Sequence, residues 1–237
     1  MKKLNANYLL LILVVLATSC FYAQETTVID KTYPVQSFSS IDYDAAGKVI
    51  FTQSEKTSVR AEGDKKMIDR LDVSVSNGIL KINQKTKRNL RSNKYLTIYI
   101  SSPTIEVIDV DGVGNWVLQG KVKSQNLKID FGGVGNFEAL DLESENINTI
   151  YEGVGNLTLG GTAQFVKIKS KGVGNLNSEE LTATNVVVIS SGVGNVKLYA
   201  SESIDINNEG VGNVTYYGNP ETKKINRSGI GKVNQGD

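Results

Sequence analysis

One five-residue word recurs through the second half of the chain. GVGNW at 112–116 is followed by GVGNF at 133, GVGNL at 153 and 172, GVGNV at 192 and 210, and a degraded GIGKV at 229. The openings are 21, 20, 19, 20, 18 and 19 residues apart. A unit this short cannot enclose a core of its own. The period therefore demands a stack in which each copy buries its apolar face on the next. Two glycines in each of seven copies account for 14 of the 23 in the chain, so glycine here is periodic punctuation rather than linker.

The segments between the words alternate apolar and polar residues at period two. NLKIDF (126–131), NINTIY (146–151), FVKIKS (165–170), VVVISS (186–191) and SIDINN (203–208) each precede a copy, and runs such as NLTLGG (156–161) and NVKLYA (195–200) follow one. That is the pattern of half-buried strands, with no helical period between them. One repeat reads as strand, corner, strand, turn. The fold class is all-β, a parallel β-helix or β-solenoid with rungs of about 20 residues. Residues 103–237 form the repeats, and 26–102 read as irregular first rungs and a cap. There RLDVSVSNGILKINQ (70–84) is a hairpin turning at Asn77-Gly78, and GDKKMIDRL (63–71) has room for one short helix.

Each position of the word has a separate reading. The first glycines (Gly112, Gly133, Gly153, Gly172, Gly192, Gly210, Gly229) and the second (Gly114, Gly135, Gly155, Gly174, Gly194, Gly212, Gly231) allow positive φ or close backbone approach. The Val between them (Ile230 in the last copy) is expected as an inward knob. Asn115, Asn136, Asn156, Asn175, Asn195 and Asn213 are expected to form a rung-to-rung amide ladder at the corner. A row of amides gripping a sugar or a cation is the alternative. The closing residue shrinks from Trp116 and Phe137 to Val233, as a tapering core stack would.

Composition removes several classes of chemistry. The chain has no His and a single Cys, Cys20, so zinc enzymes, Ser-His hydrolases and Cys-His proteases are excluded, and no metal or cofactor is expected. Lys and Arg number 26 against 25 Asp and Glu, which gives no reason to expect nucleic acid as a partner. No carboxylate recurs inside the word. Asp109 and Asp111 share a strand face and could form an acidic patch with Glu106, but solvated strand charges are the expectation, and no catalytic residue is assigned.

The first residues read as an address. Lys2 and Lys3 precede an apolar run from Tyr8 to Ala17 and then small residues, the order of an export signal. The run is too short to span a bilayer, so no transmembrane segment is expected in the mature chain. Cleavage between Ala23 and Gln24 leaves one domain, 24–237. A loose lipobox ending at Cys20 would instead end the leader at 19 and lipidate that Cys. Either route places the protein in the periplasm, on the outer membrane surface or outside the cell.

Taken together, VQSFSSIDYDAAGKVIFTQ, the LDVSVSNGILKI hairpin, LTIYISSPTIEVIDVDGVGN and the glycine-marked rungs resemble the autotransporter-adhesin head, or GIN domain, family of Bacteroidota. The resemblance spans about residues 35 to 235. It implies a right-handed β-helix-like fold and an envelope or surface location, and brings no catalytic residues. The functional expectation is a non-enzymatic envelope protein with a structural or adhesin-like role. The alternatives are a glycan- or peptide-binding module and, on fold analogy alone, a β-helix carbohydrate-active enzyme. Partners would be an envelope glycan, a surface protein, or a second copy meeting the solenoid ends. The one charge run, KINQKTKRNLRSNK (81–94), offers Lys85, Lys87, Arg88 and Arg91 as a docking loop for anionic groups. Tyr216 and Tyr217 could stack on sugars or close the end of the stack.

Overall fold

The computed structural model describes residues 27–85 and 95–237. They form one continuous sheet wound into a parallel β-solenoid, with a single short helix. In chain order the strands are β1 (Val28–Tyr33), β2 (Ser40–Asp44), β3 (Lys48–Gln53), β4 (Ser58–Asp64), β5 (Leu71–Ser76), β6 (Ile79–Gln84), β7 (Leu96–Ser102), β8 (Val107–Val110) and β9 (Trp116–Leu118). They continue as β10 (Val122–Phe131), β11 (Phe137–Tyr151), β12 (Leu157–Ser170), β13 (Leu176–Ser190), β14 (Val196–Asn208), β15 (Val214–Tyr217), β16 (Thr222–Arg227) and β17 (Val233–Gln235).

The turn expected midway through each repeat is absent in the central rungs. β11 to β14 each run from one corner to the next and bend within the ladder, where register slips between Ala139 and Leu142 and between Thr158 and Gly160. Such bulges redirect a strand without ending its pairing.

The corners stack in register. Parallel bridges join Ala46, Val113, Val134, Val154, Val173, Val193, Val211 and Ile230 in one column. Ala46 belongs to an eighth corner, Ala45-Ala46-Gly47, between β2 and β3, which the repeated word does not mark. Alternation continues straight through these corners: Val110, Gly112 and Trp116 are buried, while Asp111, Val113 and Asn115 are exposed. This corrects the inward reading of Val. The glycines occupy the inner positions, and Val113 is 54% and Val154 51% exposed. There is no room inside for a side chain: a Cβ on Gly133 would lie 2.3 Å from the Gly112 carbonyl oxygen, and one on Gly155 1.8 Å from that of Gly135. Gly155 also has φ +138°, as its equivalents do, a region L side chains rarely enter.

Behind the first corners lies an aromatic pile. The Trp116 ring meets Tyr43 edge-on at 5.1 Å and stacks on Phe137 at 6.2 Å, and Phe131 stacks on Tyr151 at 6.1 Å. Leu157, Leu176, Val196 and Val214 continue the Trp116 column, each buried.

The N-terminal rungs are not stacked in chain order. β2 lies between β6 and β8, and β3 between β7 and β9, all parallel. Beyond them, β5 pairs antiparallel with β6 through the Asn77-Gly78 turn, and β4 and β1 extend β7 antiparallel. Helix α1 (Lys65–Ile68) starts at Asp64, whose carboxylate accepts from the Lys66 and Met67 N–H groups, and buries Met67 and Ile68. At the other end, the final rung turns Lys223 and Arg227 to positions that Ile204 and Asn208 fill one rung earlier. Lys223 Nζ donates to Gln235 Oε1 at 3.2 Å, and Arg227 Nη1 to the Gly231 carbonyl at 3.1 Å.

Candidate functional site

Each corner amide hands a bond to the next rung. Asn115 Oδ1 accepts from the Asn136 backbone N–H at 3.0 Å and from its Nδ2 at 3.3 Å. The same pair of bonds joins Asn136 to Asn156, Asn156 to Asn175 and Asn175 to Asn195. Asn213 bonds Asn195 by its backbone N–H, and Lys232 ends the series by donating its own to Asn213 Oδ1 at 2.9 Å. From Asn136 to Asn195 both Oδ1 and Nδ2 are engaged inside the ladder, and the corner presents a straight ridge of Val side chains beside these amides.

The outer face running up to the corner is more varied. Register places Asp42, Asp109 and Asp130 opposite one another on successive rungs, with Asp44 and Asp111 in the next outward column. Sequence reasoning placed Asp109 and Asp111 together and missed Asp42, because β2 packs on β8 across more than 60 residues, and Asp130, which stands one repeat after Asp109 on β10. Glu106 lines the neighbouring recess and is not among the charges that act on Asp109. Burial first, then the Asp130, Asp111 and Asp42 charges, raise the Asp109 carboxyl above its ordinary range, with Lys128 opposing. Lys81 lies 3.7 Å from Asp42, and Lys128 3.6 Å from Asp130. Among the described residues, no group of His, Cys, Asp and Glu is arranged to hold a metal ion.

Beside the aspartates, an open recess of about 610 Å³ crosses β8, β10, β11, β12 and β13. Five strands at the usual spacing make it about 20 Å long. Its floor is the backbone around Leu127, Ile147 and Val166. A second amide ladder starts here, where Asn146 Nδ2 donates to Asn126 Oδ1 at 2.9 Å. Phe165 then takes the amide's place, pairing with Asn146 on one side and Asn185 on the other, and the residue is 50% exposed. Asn185 Oδ1 accepts from Ser203 Oγ at 2.5 Å. Neither Asp109 nor Asp130 lines the recess.

The other residues singled out in the sequence lie elsewhere. Tyr216 is buried, and Tyr217 packs against Gly236, so both belong to the end of the stack. Lys85 is exposed, 3.9 Å from Asp72 of the β5–β6 hairpin. Cys20, Ala23, Gln24, Lys87, Arg88 and Arg91 fall outside the described residues.

Residues 37–220 match the family described as "Putative auto-transporter adhesin, head GIN domain". The chain belongs to that family. The crystal structure of a "putative adhesin" from Bacteroides fragilis is similar to this GIN domain at 33% identity and TM-score 0.87, covering 89% of this chain and 98% of its own. A "putative lipid binding protein" and a "putative adhesin" from Parabacteroides distasonis are similar at 22% and 18% identity, with TM-scores of 0.65 and 0.68. Each covers 90% of this chain and 98% of its own, a likeness of fold alone. No curated protein matches the chain. The family and the Bacteroides fragilis relative are named for adhesion, not for a reaction, which suggests a surface or exported protein. No helix among the described residues is long and apolar enough to cross a membrane.

Proposed function

We propose that this GIN domain is an exported, adhesin-like component of the cell envelope that binds through its outer sheet face and catalyses no reaction. The observation that carries the reading is the open recess around Phe165, where an exposed ring, amides and cations meet on a stack held in register from rung to rung. Such a surface suits recognition of an extended partner. A glycosidase needs two carboxyl groups facing each other across the scissile bond. Here the paired aspartates stand outside the recess, and Glu106 is the single acid lining it. The export-type leader, read over residues 1–23, supports the location.

The test has two arms. Beads coated with the purified protein should adhere to bacterial envelope material, and antibody should label intact cells. Incubation with envelope polysaccharides should release no new reducing ends. Beads that stay free, or unlabelled intact cells beside labelled lysed ones, would sink the adhesive reading. New reducing ends that disappear with Asp130→Asn would replace it with a catalytic one.

A further inference from the structure

We propose that the recess holding Phe165 binds an acidic oligosaccharide, with the ring against a sugar face and with Lys167 in the recess and Lys169 just beyond it against its acid groups. This rests on the adhesive reading and names its ligand class. Three observations carry it, and the first is charge. On this outer face Lys81, Lys128, Lys171 and Lys224 each lie within 4 Å of a carboxylate, those of Asp42, Asp130, Glu152 and Asp205. Among the described residues Lys167 and Lys169 have no such partner. Their neighbours one rung away are Asn148 and Ile150 on one side and Val187 and Ile189 on the other. Two adjacent cations are thus left without local neutralisation, which favours an anionic ligand.

The second observation is Phe165 itself. It stands between the hydrogen-bonded amides Asn146 and Asn185, in a column that continues to Ser203, and the residue is half exposed. An aromatic at this point weakens the ladder and buries little, so the fold gains nothing evident from it. A flat ring flanked by amides suits a pyranose, which offers an apolar face and a rim of hydroxyls. The third is the pattern of bonds still available. Asn126 Nδ2, Asn146 Oδ1 and Asn185 Nδ2 are not used by the bonds that tie their other atoms, and the Asn148 side chain makes none among the described residues. They provide both donors and acceptors along the recess, as hydroxyls require. An acyl chain would want an enclosed apolar channel, whereas this recess is open along its length.

The experiment is calorimetric titration of the full-length exported protein at low salt. The probes are oligogalacturonate, the same oligosaccharide with its carboxyl groups reduced, and phosphatidylglycerol vesicles. Oligogalacturonate should bind, the reduced form at least tenfold more weakly, and the vesicles not at all. Phe165→Ala should abolish binding, Phe165→Tyr should keep it, and Lys167→Gln with Lys169→Gln should weaken it at least tenfold while leaving the circular dichroism melt unchanged. Equal binding of the reduced form, binding of vesicles alone, or no binding across an array of acidic glycans would each overturn the proposal. If coated beads still adhere with Phe165→Ala, the recess is wrong and the adhesive reading stands; if wild-type beads never adhere, that reading has failed by itself.

Discussion

At the scale of single residues, the inner corner sets the tightest limits. Gly155→Ala places a methyl 1.8 Å from a carbonyl oxygen at a φ of +138°, so strain and overlap act together and the loss should be about 3 kcal/mol or more. Gly120→Ala is the control: φ is +76°, but the space is open, and the cost should be about 1 kcal/mol. Denaturant melts of the two variants separate close approach from backbone conformation. Thr149 presents the opposite case. Its hydroxyl is buried without a partner among the described residues, between Ile129 and Ile168 in neighbouring rungs. Thr149→Val keeps the shape and removes the orphaned group, so the melting temperature should rise by about 2–4 °C. Asp109 adds a pH dependence. A carboxyl whose folded pKa is raised binds its proton more tightly in the fold, so ionising it costs stability as pH rises through that value. Asp109→Asn should therefore raise Tm at pH 7 by about 1–2 °C. The gain should vanish near pH 3, below the ordinary aspartate value of about 3.9. A gain that persists there would point to packing rather than charge.

At the scale of the element, the corner is a ladder whose parts support one another. Asn156→Ala removes the acceptor for both the backbone and the side chain of Asn175, and the donor to Asn136. Asn213→Ala removes one bond onward, to Lys232. The first should cost about 1–2 kcal/mol and the second about half as much, read from paired melts. Equal losses would mean that the amides act singly. This element also shows what the sequence could reveal. The period and the shared Asn made the column legible. The orientation of Val was misread because size was taken as the sign of burial, whereas the phase of alternation carried it: counting back in twos from Trp116 reaches Gly114, Gly112 and Val110. The same count through Val49, Gly47, Ala45, Tyr43 and Ile41 exposes the unmarked eighth corner. The place of Asp42 was not legible in that way, because β2 and β8 are distant in the chain, whereas Asp130 and the recess lie on successive repeats that share no repeated word to mark those columns.

For the whole molecule, the ends decide whether a stack stays single. The final rung carries Lys223 and Arg227 where the rung before it places Ile204 and Asn208, and Ile225 between them is 43% exposed. Inward-pointing charge on a terminal strand is a recognised defence against edge-to-edge growth. Sedimentation should find the wild type monomeric, while Lys223→Val combined with Arg227→Val should associate in proportion to concentration. A double variant that remains monomeric would assign the protection to the tail, where Gln235 Nε2 donates to the Gly218 carbonyl at 2.8 Å.

The interior placement of β2 and β3 bears on how such a rod could come into being. The rung encoded first is flanked on one side by β6 and β7 and on the other by β8 and β9, so by residue 118 it has no free edge. Assembly from that seed can advance only toward the C-terminus. Every corner amide on that front already offers its oxygen to a backbone that has yet to arrive, so the wall is templated in one direction. For a chain delivered head first through a membrane pore, the order of arrival and the order of construction coincide.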